Sequence, residues 1–282
     1  MRNSVYSASG PLGSCDIAYT DWGDLDNPDL IVCVHGLTRN CRDFDALAQV
    51  LSATYRVISI DVPGRGNSQR LASPAAYTYP TYIALLWPFI ASLKARNLDF
   101  IGTSMGGIIG MMIAAMPESP IQRMVVNDVG PFLPKSALQR INTYLAMDFQ
   151  FDSVAAVAQH LRRVHEPFGP LTDAQWAHLA EHGSRRGTDG RWRLAYDPAI
   201  REPFKDVINE DISFWEVWDA IRCPVLLLRG ETSDILRPET ALEMTQHGPA
   251  TDLVEFAGIG HAPALMAPEQ ISTITDWLSR KG

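Results

Sequence analysis

The sequence predicts an α/β protein: a mostly parallel central sheet flanked by helices, with a helical cap inserted after the strand that ends near Asp128. Three observations predict it. Short apolar runs such as Leu30-Ile31-Val32-Cys33-Val34 and Arg56-Val57-Ile58-Ser59-Ile60 read as strands covered on both faces. Segments of helical spacing alternate with them, the order that builds a parallel sheet. From about Phe132 to Ala220 the alternation stops, and a helix-leaning stretch broken by Pro167, Gly169-Pro170, Gly183, Gly187, Gly190 and Pro198 replaces it. The expected division is a core domain from residues 1–131 and 221–282, and a helical cap from residues 132–220.

Taken in order, Asp16 to Gly23 partly alternates and reads as an edge strand, with a turn at Asn27-Pro28. Leu30–Val34 runs into His35-Gly36-Leu37-Thr38-Arg39-Asn40. Asp43 is placed to cap a helix over Phe44 to Leu51. Arg56–Ile60 runs into a Gly/Pro-rich loop, Asp61 to Ser68. A helix from Tyr82 to Arg96 precedes the strand at Leu98, and Met124 to Asp128 is the next strand, closing at Gly130-Pro131. After the insert come a strand over Pro224 to Gly230, a helix over Pro238 to Thr245, a strand over Asp252 to Phe256, and a helix over Pro268 to Arg280.

The 282 residues suffice for a sizeable core, and the net charge of −8 argues against nucleic acid or an anionic membrane as partner. Cys15, Cys33, Cys41 and Cys223 have no C-x-x-C spacing and read as buried thiols. No secretory leader and no apolar run of membrane-spanning length is evident, so a cytoplasmic protein is expected.

The chemistry centres on Gly102-Thr103-Ser104-Met105-Gly106, between a strand-like run and a small-residue helical run. This G-x-S-x-G pattern makes a sharp strand-to-helix turn that lifts the serine hydroxyl out of the sheet, at a helix N-terminus suited to developing negative charge. Functional groups of an open parallel sheet gather at the carboxyl ends of its strands. Those ends carry His35-Gly36-Leu37, Asp61, Ser104, Asp128, the Gly230-to-Asp234 loop and His261. A serine needs an adjacent base, and the base an orienting acid.

Together His35-Gly36, the Asp61–Ser68 loop, the serine turn, Arg229-Gly230-Glu231-Thr232-Ser233-Asp234 and Gly258-Ile259-Gly260-His261-Ala262-Pro263 resemble the α/β-hydrolase superfamily. The resemblance implies Ser104 as nucleophile, His261 as base and Asp234 as acid, with Asp128 as the alternative acid. It also implies an oxyanion hole from the backbone N–H groups of Leu37 and Met105, with His35, Gly36 and Asp61 shaping the loops. No cofactor and no metal is implied. The substrate expected is a small acyl compound, an ester or lactone cleaved through an acyl-enzyme. Carbon–carbon hydrolysis of a ring-fission vinylogous diketone, acyl transfer, or a non-catalytic binding module are the alternatives.

Two further features stand apart. His178-Leu179-Ala180-Glu181-His182 fits the H-x-x-E-H pattern of certain zinc peptidases, but Gly183 ends the helix and no third ligand is evident, so a solvated helix face is expected. Between His160 and Lys205 eight basic residues outnumber six acidic ones, which fits either an anionic substrate or a charged outer surface. Trp176, Trp192, Trp215 and Trp218 suggest an apolar lining or ordinary packing.

Overall fold

The computed structural model describes residues 1–10 and 13–280. Its strands are β1 (Arg2–Gly10), β2 (Gly13–Trp22), β3 (Asp29–Val34), β4 (Arg56–Ile60), β5 (Asn97–Thr103) and β6 (Ile121–Asn127), followed by β7 (Phe132–Leu133), β8 (Ser184–Arg186), β9 (Trp192–Leu194), β10 (Ile212–Ser213), β11 (Val225–Gly230) and β12 (Thr251–Phe256). Eight of them form one sheet in the order β1-β2-β4-β3-β5-β6-β11-β12. From β4 to β12 every neighbouring pair is parallel, while β1 and β2 form an antiparallel edge.

Helices α1 (Asp45–Leu51), α2 (Tyr79–Ser92) and α3 (Met105–Ala114) belong to the first part of the chain. Residues 132–220 hold α4 (Lys135–Leu145), α5 (Val154–Val164), α6 (Asp173–His182), α7 (Phe204–Val207) and α8 (Trp215–Ala220), with α9 (Pro238–Met244) and α10 (Pro268–Ser279) after them. No described helix is long and apolar enough to cross a membrane.

The period of two along the inner strands divides the core. Val32, Val34, Phe100, Met124, Val126 and Leu227 pack with α2 and α3, while Ile31, Cys33, Ile101, Val125, Leu226 and Leu228 pack with α1 and α10. Both faces are covered, which is why these strands read as unbroken apolar runs.

Three local expectations differ from the structure. Asp16 to Gly23, expected as an edge strand, falls in β2 as far as Trp22 and lies second in the sheet, because the N-terminal segment forms a nine-residue strand, β1, outside it. The sequence of β1 hid that, since Ala8 is its one buried residue and small polar groups face outward. Helix α2 begins three residues before Tyr82, with Pro80 in its first turn, where a missing N–H costs nothing. Asp43 caps no helix: Asn40 accepts from Arg42 N–H at the start of a short 3₁₀ turn, and Asp43 pairs with Arg39.

The loops leaving β3 and β4 are held by buried polar groups. His35 is fully buried; its Nδ1–H donates to the Gly36 carbonyl at 2.7 Å and its Nε2 accepts from Val62 N–H at 3.0 Å, so the ring is neutral. Asp61 accepts from Cys41 N–H and Asn67 N–H, each at 2.7 Å. Arg65, also buried, donates to the carbonyls of Leu37 and Pro63 and to Tyr82 Oη, and its guanidinium lies over the Tyr82 ring.

Burial pulls His35 down to about 4. The unfolded chain therefore binds a proton between its ordinary value of 6.5 and 4 that the native state refuses. Stability is full above that window and falls as pH drops through it, by about 3 kcal/mol from this group. Urea unfolding of wild type and His35→Gln at several pH values should show the variant less stable at pH 7, with a flatter acid-side slope and a total loss across that window smaller by about 3 kcal/mol. An unchanged slope would refute the neutral, buried imidazole.

Candidate active site

Ser104 stands between β5 and α3 with φ 53° and ψ −117°, a left-handed conformation costly for a residue with a Cβ. The neighbouring glycines make the turn possible. A Cβ on Gly102 would meet the Gly106 carbonyl oxygen at 2.4 Å, and one on Gly106 would meet the Val34 oxygen at 2.0 Å. Strand, turn and helix therefore touch backbone to backbone, and Ser104 N–H is anchored on the Asn127 carbonyl at 2.9 Å.

His261 follows β12 from far down the chain, and its Nε2 lies 2.9 Å from Ser104 Oγ. On its other side Nδ1 lies 2.7 Å from Oδ2 of Asp128, whose side chain is wholly buried. The same carboxylate accepts from Ser233 Oγ at 2.6 Å and, through Oδ1, from Gly230 N–H at 2.8 Å. Three donors thus meet one buried carboxylate, the arrangement in which burying a charge is tolerated.

Asp234, expected as the acid, is elsewhere. Its carboxylate is half exposed and pairs with Arg140 of α4 through Nε at 2.6 Å and Nη2 at 2.9 Å. The loop after β11 turns Ser233 inward to Asp128 and Asp234 outward to the insert. The carboxylate on His261 therefore comes from the end of β6, the position of the alternative candidate.

Leu37 lies in the loop whose Gly36 packs beside Ser104; a Cβ on Gly36 would come within 3.7 Å of the serine Cβ. Met105 opens α3, so its N–H has no acceptor inside the helix. Arg65 contacts both residues, at the Leu37 carbonyl and, through Nη2, at Met105 Sδ 3.6 Å away. Its guanidinium is thus committed to the loops and not to a substrate carboxylate.

A cavity of about 70 Å³ adjoins Ser104 and His261. The insert contributes Ile141, Tyr144, His165, Phe168 and Leu179 to its wall. None of the four tryptophans singled out from the sequence lines it: Trp176 and Trp218 are buried in apolar clusters. The basic residues of the insert also stay away, with Arg162 on Asp173, Arg193 on Asp189 and Lys205 on Glu202. Sequence reasoning missed His165, whose ring stacks on Phe168 at 4.4 Å, because it lies in the segment without motif or periodic signal. It missed Ser233 as the support of Asp128 because Asp234, next to it, carried the more conspicuous chemistry. His178 and His182 face a third group the sequence did not reveal, Asp45 of α1.

The profile of the alpha/beta hydrolase family matches residues 31–273. A 3-hydroxybutyrate-oligomer hydrolase of Cupriavidus necator is 42% identical over 93% of this chain and 92% of its own length. Among solved structures, one from Rickettsia typhi superposes with a TM-score of 0.94 at 34% identity, covering 100% of both chains. An α/β hydrolase from Novosphingobium aromaticivorans gives 0.87 at 34% identity, covering 99% of this chain and 98% of the other. With its eight-stranded sheet and serine turn, the chain belongs to the alpha/beta hydrolase family.

Proposed function

We propose that this hydrolase cleaves short carboxylic esters, of the oligomeric hydroxyalkanoate class, through an acyl-enzyme on Ser104. The observation that carries the reaction type is the continuous hydrogen-bonded chain from Ser104 Oγ through His261 to Asp128. Ser104 Oγ attacks the ester carbonyl as its proton passes to His261 Nε2, and Asp128 stabilises the imidazolium and holds its tautomer. The N–H groups of Leu37 and Met105 receive the oxyanion. Collapse of the tetrahedral adduct breaks the ester C–O bond, and His261 returns the proton to the departing alkoxide. Water, deprotonated by the same imidazole, then releases the acid and restores the serine.

The substrate class rests on the Cupriavidus necator relative, whose similarity spans nearly the whole of both chains. The small cavity and its apolar walls favour a short acyl group over a long one. Residues 132–220 act in this reading as a cap that sets acyl size through Ile141, Tyr144, Phe168 and Leu179.

Two sets of measurements test the proposal. Ser104→Ala should abolish turnover of p-nitrophenyl butyrate, Asp128→Asn should lower kcat by roughly 10⁴, and Asp234→Asn should leave kcat/KM within about twofold, as expected of an exposed ion pair. A severe loss on Asp234→Asn with little on Asp128→Asn would reverse the assignment of the acid. For the substrate, dimers and trimers of 3-hydroxybutyrate should yield monomer, and p-nitrophenyl butyrate should exceed the palmitate ester by at least about tenfold in kcat/KM. Preference for the long chain, with the dimer untouched, would contradict the substrate class.

A further inference from the structure

Away from the catalytic cavity, at the seam between the core and the insert, three potential ligands converge from two distant parts of the chain. His178 and His182 sit four residues apart on α6, so they share one face, and their rings meet edge to face with centroids 4.6 Å apart. Asp45, the first residue of α1, faces them from the core. Each of the three offers one ligand atom within 4.8 Å of the others.

We propose that Asp45, His178 and His182 form a site for a divalent transition-metal ion of the zinc class, one that staples α6 to the core. Two imidazoles and a carboxylate suit such an ion and are poor ligands for magnesium. Asp45 is 8% exposed, and its Oδ1 is buried without any hydrogen-bond partner. An orphaned carboxylate oxygen in that position calls for an electropositive neighbour.

The present occupant of the cluster is itself a cation. Arg42 binds Asp45 Oδ2 through Nε at 2.7 Å and Nη2 at 2.6 Å, and its Nη1 lies 3.3 Å from His182 Nδ1. A guanidinium can only donate, so His182 Nδ1 presents its lone pair to that charge. Arg42 therefore holds open two lone-pair donors in the way a metal ion would. Its side chain is 21% exposed, which leaves it a route outward when an ion takes its place. His178 Nε2 lies 3.4 Å from Asp45 Oδ2 and 3.0 Å from the Arg42 carbonyl oxygen. The nearby Glu181 is exposed and adds negative charge at the rim. Asn40 ties the same two segments together by donating from Nδ2 to the His182 carbonyl at 3.1 Å. The four cysteines, which would compete for zinc, are all buried.

Arg42 as a competitor gives the proposal an unusual sign. Calorimetric titration of the full chain with Zn²⁺ at pH 7.5 should show one saturable equivalent, and Mg²⁺ should give none. His178→Ala and His182→Ala should each weaken binding by at least about tenfold, or 1.4 kcal/mol, whereas Arg42→Ala should tighten it. Far-UV circular dichroism checks that each variant is folded, and His182→Gln replaces His182→Ala should the latter unfold. Co²⁺ absorption supplies a readout independent of heat: the wild type should show intense visible bands that the histidine variants lose. No saturable Zn²⁺ binding, undiminished binding in both histidine variants, weaker binding in Arg42→Ala, or a Co²⁺ spectrum matching the free aqua ion would each overturn the site.

Discussion

Backbone contact around Ser104 is the constraint on which the rest of the site depends. The serine occupies a left-handed conformation that costs on the order of 1–3 kcal/mol and lasts only where the surroundings leave no alternative. Here Gly102 lies against Gly106 and Gly106 against Val34, so a methyl group at either position would collide with main chain. The apolar strands on both faces of the sheet supply the rigidity that keeps this bend from relaxing. The bend in turn sends the hydroxyl toward β12, where His261 arrives.

Around that bend the protein buries Asp128, Asp61 and Arg65, and each of these three has partners. Asp128 has three donors, Asp61 has two backbone N–H groups, and Arg65 sits among carbonyls, a phenol and an aromatic face. In a low-dielectric interior a fully satisfied network of this kind is stiff, and an unpaired group is costly. The loops at the carboxyl ends of β3, β4, β6 and β11 are thus fixed by polar contacts made below the cavity floor. Ile141, Tyr144, His165, Phe168 and Leu179 complete the cavity wall.

The sheet was legible because its inner strands are covered on both sides and so are written as plain apolar runs. The serine and histidine were legible because the glycines beside Ser104 and the Gly258-Ile259-Gly260 turn before His261 have backbone reasons to be where they are. The acid was harder. Asp128 and Asp234 both follow strands, and the choice between them depends on which way a loop turns four residues past β11, a matter decided by Ser233 reaching Asp128 and Arg140 capturing Asp234. Strand β1 escaped notice because almost nothing on it is buried, and the cavity wall because Ile141 and Tyr144 lie on α4 while His165 and Phe168 lie in the turn after α5, two places that no motif connects. The third partner of His178 and His182 lies more than a hundred residues away in the chain, and no local pattern could announce it.

The central claim is that Ser104 is an activated nucleophile, and covalent capture tests it most directly. Intact-mass analysis after treatment with a fluorophosphonate should show a single adduct, mapped by peptide sequencing to Ser104 and missing from Ser104→Ala. No adduct, or one placed on a different residue, would contradict the account.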